Sequence, residues 1–169
     1  MAQEAEMPAG EVIQMINFRL RDEEFGVDID SVREITRVGD ITHIPEAPSF
    51  IQGVINLRGQ IIAVIDLAGR FGLATQEKLS DIARIVVTEV NDQTVGMLVD
   101  EVPGVLKIPE ENIEPTPELI QSQIRKDYIK GVGKLKNRLI IFLDLEKVLA
   151  PSEVEQLTGM SKGKEEEGR

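Results

Sequence analysis

The chain has 169 residues, 41% of them hydrophobic and 4% aromatic, with a formal net charge of −11 and no cysteine. That length supports one substantial core or two small ones, not a multidomain enzyme. The acidic balance opposes a phosphate-binding surface and makes nucleic acid a poor partner, while the lack of thiols excludes disulfides, thiolate metal sites and cysteine nucleophiles. The first ten residues, MAQEAEMPAG, predict a disordered N-terminus without the cationic start and apolar core of a secretory signal. No stretch reaches the roughly 18 to 20 apolar residues of a membrane helix. A cytoplasmic protein without direct membrane insertion is the expectation.

In chain order, VIQMINFRL and EFGVDI read as strands joined by a hairpin at RDEE, residues 21–24. Ile29, Val32 and Ile35 follow at helical spacing, a pattern that ordinarily marks a core-facing stripe. Pro48 with Ser49 predicts a short helical turn leading into Gly53. INLRGQIIAVIDL, residues 55–67, is an apolar run broken at a polar corner containing Arg58 and Gly59. Asp66 then offers an N-cap to a short helix in DLAGRFG. ARIVVTEV and TVGMLVD form a second strand pair around NDQT, residues 91–94. A long connection, IPEENIEPTPELIQSQIRKD, leads to GKLKNRLIIFLDL, and Asp144 offers another N-cap in DLEKVLAPSEVEQL. Residues 151–169 predict a short helix and a charged tail ending SKGKEEEGR.

The chain reads as two copies of one plan. Asp22, Gly26, Asp30 and Val32 meet Asp92, Gly96, Asp100 and Val102 at an offset of 70, and FIQGVINLRGQIIAVIDL meets YIKGVGKLKNRLIIFLDL at an offset of 78. Two blocks aligned in the same order point to duplication. Each copy supplies about five short strands, for which closure into a small barrel removes exposed edges. The expected fold is mainly β with a few short helices, one lobe about 11–78 and the other about 79–150, with exchange of terminal strands between them.

Catalytic chemistry finds little support. Asp28, Asp30 and Glu34 could supply a carboxylate pair, but there is no tryptophan and one tyrosine for a sugar platform, and nothing marks one carboxylate for a raised pKa. Asp22, Glu23 and Glu24 at a hairpin tip read as a solvated turn before they read as a calcium site. His43 has no second histidine or cysteine with which to share a metal. No cofactor is expected. A proline-peptide groove of the SH3 kind would need aromatic residues that the chain lacks.

FGVDIDSVREI, then IP, then FIQGVINLRGQIIAVIDL, GMLVDEV and YIKGVGKL resemble the CheW family of chemotaxis coupling proteins over about residues 11–150. GVINLRGQIIAVIDL is the most specific part. The resemblance implies two packed, five-stranded, SH3-like β barrels. It also implies a non-enzymatic adaptor that joins methyl-accepting chemoreceptors to the histidine kinase CheA, through the kinase's regulatory domain and the tip of the receptor's helical hairpin. The protein would be monomeric alone and recruited to membrane-associated receptor arrays. Two other readings stay open: the same scaffold in a signalling array unrelated to motility, and, remotely, a small β-barrel enzyme using a carboxylate pair.

Carried onto this chain, the family pattern points to Ile29, Val32, Glu34 and Ile35, and to Gly53, Asn56, Leu57, Arg58 and Gly59, as protein-binding residues. Val99 and Val102, by the internal repeat, would line the same groove. The residues themselves agree in one respect. An exposed arginine on a hairpin corner gains only about 0–1 kcal/mol for folding, whereas the same planar fork at an interface can be worth roughly 2 kcal/mol or more. The second copy carries Lys136 and Asn137 at that corner, which keeps a turn and loses the fork.

Overall fold

The computed structural model describes residues 11–73, 79–115, 126–150 and 152–156. The N-terminal ten residues and the charged tail lie outside the described residues, as do the middle of the long connection and the segment 74–78. Eleven strands dominate the described residues. In order they are β1 (Val12–Leu20), β2 (Glu23–Asp28), β3 (Val32–Arg37), β4 (Ile51–Leu57), β5 (Gln60–Asp66), β6 (Arg84–Val90), β7 (Gln93–Val99), β8 (Glu101–Pro109), β9 (Ile113–Glu114), β10 (Ile129–Leu135) and β11 (Arg138–Leu143). A four-residue helix, α1 (Leu67–Arg70), follows β5.

The hairpins at 21–22, 58–59, 91–92 and 136–137 fall where the polar corners predict them. Two local expectations fail. Pro48 starts no helix: its carbonyl accepts the Ile51 N–H at 3.0 Å and the chain passes directly into β4. Nor do Ile29, Val32 and Ile35 share a helical face, because Ile29 begins a 3-10 turn while Val32 and Ile35 lie on β3. An odd spacing on a strand sends side chains to opposite faces. Val32 and Glu34 are accordingly half-buried and Ile35 is exposed.

The strands form two sheets, in the orders β8-β1-β2-β11-β10-β9 and β3-β6-β7-β5-β4. Neither sheet follows one half of the sequence. The first joins residues 12–28 to 101–143, and the second joins 32–66 to 84–99. Each is thus built from the opening hairpin of one repeat and the closing strands of the other. The cross-repeat seams are matching parallel pairs: Phe25 faces Ile141 on β2 and β11, and Val95 faces Ala63 on β7 and β5.

Both sheets close on themselves. β8 turns through Glu110–Asn112 into the two-residue β9, which pairs with β10 at the opposite edge, so the six hydrogen-bonded segments are five passes of chain. In the second sheet Thr42, just beyond β3, bridges Val54 on β4 with paired backbone bonds of 2.9 Å. We call these barrel one and barrel two.

Alternation along the strands sorts the apolar residues into three layers. Met15, Ile108, Ile140 and Phe142 fill barrel one. Ile55, Ile62, Val64, Ile85, Val87 and Leu98 fill barrel two. The largest cluster lies between the barrels and takes residues from both, among them Ile16, Phe18, Phe25 and Leu143 of barrel one and Ile65, Val86, Met97 and Val99 of barrel two. On β1, Met15 points into the barrel and Ile16 and Phe18 into the shared layer; on β7, Leu98 points in and Met97 and Val99 out. Strands buried on both faces read as continuous apolar runs. On β6 the successive residues from Ile85 to Thr88 are all buried for this reason.

Candidate functional site

The corner at Arg58 is held by its own motif. Arg58 and Gly59 have φ of +53° and +90°, the positive values that let a two-residue turn match the twist of its strands. Asn56 locks it, its Oδ1 accepting the Gly59 N–H at 2.7 Å. Two residues of Asn-x-Arg-Gly are therefore turn chemistry, with a side chain standing in for a backbone acceptor. In the second copy Lys136 has φ of +45° but Lys134 replaces the asparagine.

Arg58 is 70% exposed yet not free. Its two terminal nitrogens donate to both carboxylate oxygens of Glu34 on β3, one at 3.1 Å and the other closer. β3 and β4 are the two edges of the second sheet, so this fork-to-fork pair spans the seam that Thr42 and Val54 close. The pair also fixes the arginine's direction, which a lysine at the same place would not.

The Glu34 carboxyl is held below its ordinary range, chiefly by the hydrogen bonds from Arg58, with the charges of Arg58 and Arg33 adding to it. That direction is the reverse of what a general acid needs. A depressed folded-state pKa stabilises the fold above the carboxyl's ordinary pKa, and the contribution disappears as pH falls through the lowered value. Arg58→Ala should return Glu34 to the ordinary carboxylate range. Carboxyl carbon titration by NMR reads this directly; an unmoved midpoint would mean the pair does not form in solution.

The other predicted residues separate by burial. Ile29, Val32 and Val102 are half-buried and pack against the inter-barrel layer from its margin. Ile29 also lines an open cleft of about 740 Å³ with Val12, Ile13, Lys107 and Pro109, rimmed by Asp28 and Asp30. Ile35 and Leu57 reach the surface in part, Leu57 resting on the core of barrel two. Val99 has no exposed surface and Gly53 is buried.

Two features escaped the sequence reading. Ile61, on β5 directly opposite Asn56 on β4, is 44% exposed; from Ile62 onward β5 is buried or half-buried on both faces, so its continuous apolar run gave no signal of the exposed position. The second is the part-buried pair of Arg21 and Asp100, in which the Asp100 carboxylate accepts the Arg21 backbone N–H at 2.6 Å and its guanidinium at 2.9 Å. It ties the first hairpin to the crossing from β7 to β8. Among the described residues no three His, Asp or Glu converge as a metal group, and no helix is long and apolar enough to cross a membrane.

Comparison with known proteins bears on this arrangement. The model of the CheW-like domain matches residues 14–153. A probable chemotaxis protein CheW of Rhizobium etli is 38% identical over 142 residues, covering 84% of this chain and 90% of the relative. The chemotaxis protein CheW of Klebsiella aerogenes is 37% identical over 159 residues, covering 91% and 93%. Among solved structures, the scaffolding protein TtCheW of Thermoanaerobacter tengcongensis superposes with a TM-score of 0.75 at 37% identity, covering 86% of this chain and 91% of that one. The chain belongs to the CheW-like family, a family of non-enzymatic scaffolding proteins of chemotaxis signalling.

Proposed function

We propose that this protein is the adaptor that couples methyl-accepting chemoreceptors to the histidine kinase CheA. The observation that carries the reading is the hairpin corner at residues 56–59, rigid, projecting, and paired to Glu34 so that its arginine faces one way. Ile35 and Ile61 add exposed apolar surface on strands of the same barrel. Apolar anchors with an oriented arginine are the composition that interface hot spots favour. The half-buried margin formed by Ile29, Val32 and Val102 suits a second partner, the apolar flank of a receptor's helical tip. Gly53 and Val99 contribute by shape and not by contact. The adaptor works in the cytoplasm, brought to membrane-associated arrays by the receptor it binds, and is a monomer on its own.

Calorimetric titration against the isolated CheA regulatory domain and, separately, a receptor-tip fragment tests this. Arg58→Ala should weaken one of the two by about 2 kcal/mol, roughly thirtyfold, with its melting temperature close to that of the wild type. Wild-type protein that bound neither would reduce the family membership to a shared scaffold with other partners.

A further inference from the structure

Arg70 ends α1, on the chain leaving barrel two, and its guanidinium is the centre of a part-buried cluster. Its Nε–H donates to the Val148 carbonyl at 3.1 Å. Its two terminal nitrogens donate to the two carboxylate oxygens of Glu153 at 2.8 and 2.6 Å. Both side chains are 20% exposed. The ring of Phe50, at the entry to β4, lies 5.9 Å from the guanidinium carbon, and the Tyr128 phenol, at the entry to β10, is within electrostatic reach. Glu153 also accepts the Ala150 N–H at 2.8 Å, which fixes the helical residues 152–156 to the turn after β11.

The partners have a common origin. Phe50 and Tyr128 occupy the same place in the two repeats, and so do Arg70 and Val148, each at the offset of 78. Residues equivalent in two copies touch each other only near an axis that relates the copies. Arg70 therefore sits where barrel two, through α1 and Phe50, meets barrel one, through Tyr128 and Val148. Apart from the Arg21–Asp100 pair at the crossing from β7 to β8, the layer between the barrels is built largely of apolar residues, and apolar burial is non-directional. It holds the barrels together without fixing how one is turned on the other. A charge-assisted fork at fixed angles supplies that direction.

The margin proposed for the receptor depends on this placement, since Val102 lies on β8 of barrel one, Val32 on β3 of barrel two, and Ile29 on the turn between them. We propose that Arg70 is a positioning residue for partner binding: its clamp on Glu153 and Val148 sets the relative placement of the barrels and hence the spacing of Ile29, Val32 and Val102. This rests on the adaptor reading for the binding step, but not for the placement.

The test has two arms. On the free protein, amide spectra of Arg70→Met and of the milder Glu153→Gln should move the resonances of Ile29, Val32 and Val102 as well as those around the clamp. Changes confined to Phe50 and residues 148–153 in the folded variants would overturn the positioning role. If Arg70→Met does not fold, Glu153→Gln, which keeps the bond to Val148, decides the point alone. In the second arm, receptor-tip affinity should fall about fivefold to tenfold in Arg70→Met, and Arg70→Lys, which keeps the charge and loses the fork, should recover part of it. Unchanged affinity beside a wild type that binds would again overturn the role. A wild type that binds no receptor fragment would sink the adaptor reading, while the amide shifts still decide the placement.

Discussion

Replacing Phe25 with alanine should lower stability by about 3–5 kcal/mol, about a fifth or more of what a folded domain commonly has. Phe25 has no exposed surface. It stacks on Phe18 at 5.7 Å and meets Phe71 at 5.9 Å, and Phe71 continues the row to Tyr128 at 5.7 Å. That row runs through the layer common to both barrels. Its loss should shift the whole unfolding curve and leave one cooperative transition, because neither barrel can cover its outer apolar face without the other. Ile62→Ala, inside barrel two, is the comparison, and should cost about 2–5 kcal/mol. Urea unfolding followed by circular dichroism measures both, with no tryptophan needed. Two separated transitions in Phe25→Ala would show that the barrels fold as independent units and that the shared layer is a late contact.

Gly53→Ala should destabilise more than Gly59→Ala, although both glycines fall in the stretch expected to bind partners. A Cβ on Gly53 would lie 2.6 Å from the Thr42 carbonyl oxygen and 2.6 Å from Ile41 Cγ2. The obstacle is largely backbone, at the backbone bridge that closes barrel two, so the paired 2.9 Å bonds between Thr42 and Val54 must open or shift. A loss of about 3 kcal/mol is expected from overpacking. Gly131 repeats the arrangement against Glu114 and Ile113, at 2.8 and 2.9 Å. At Gly59 nothing lies within 4 Å and only the φ of +90° resists a side chain, at about 1–2 kcal/mol. Denaturation midpoints of the two variants separate these cases. Equal losses would mean that the closure at Thr42 is not tight in solution. Binding lost in Gly53→Ala would report a damaged barrel, whereas binding lost in a folded Gly59→Ala would report the corner itself.

The duplication, the four hairpins and the position of the Arg58 corner were legible because each depends on neighbours within a few residues: alternation, turn chemistry, a repeated block. The exchange of strands was not legible in its extent. Alternation says that Phe25 and Val27 face a core; it does not say that the strand beside them is β11 and not β3. The strand character of residues 32–37 was hidden for a different reason. An edge strand carrying Arg33, Ile35 and Arg37 on its outer face breaks the apolar-in, polar-out rule at Ile35, and three apolar residues then mimic a helix. The bond between Arg58 and Glu34 joins two strand edges brought together by barrel closure, which no local pattern encodes. Asn56 shows the converse, since a residue assigned to binding by family resemblance has a structural task that its turn position explains.

The exchange of strands between the repeats also sets an order of events during synthesis. Barrel two is complete once β7 has been made, because all its strands lie between residues 32 and 99. Barrel one begins first and finishes last of the two: β1 and β2 emerge before any strand of barrel two, while β11, which β2 must join, emerges after all of them. Throughout that interval the opening hairpin carries Phe18 and Phe25 with no sheet to receive them, and long-range pairing of this kind is slow and exposes apolar edges. The early-folded barrel two offers a surface on which they can wait, its half of the shared apolar layer. The opening hairpin, made before the barrel that it waits beside, is thus the part most in need of a temporary host, and the protein's own second barrel is the nearest one.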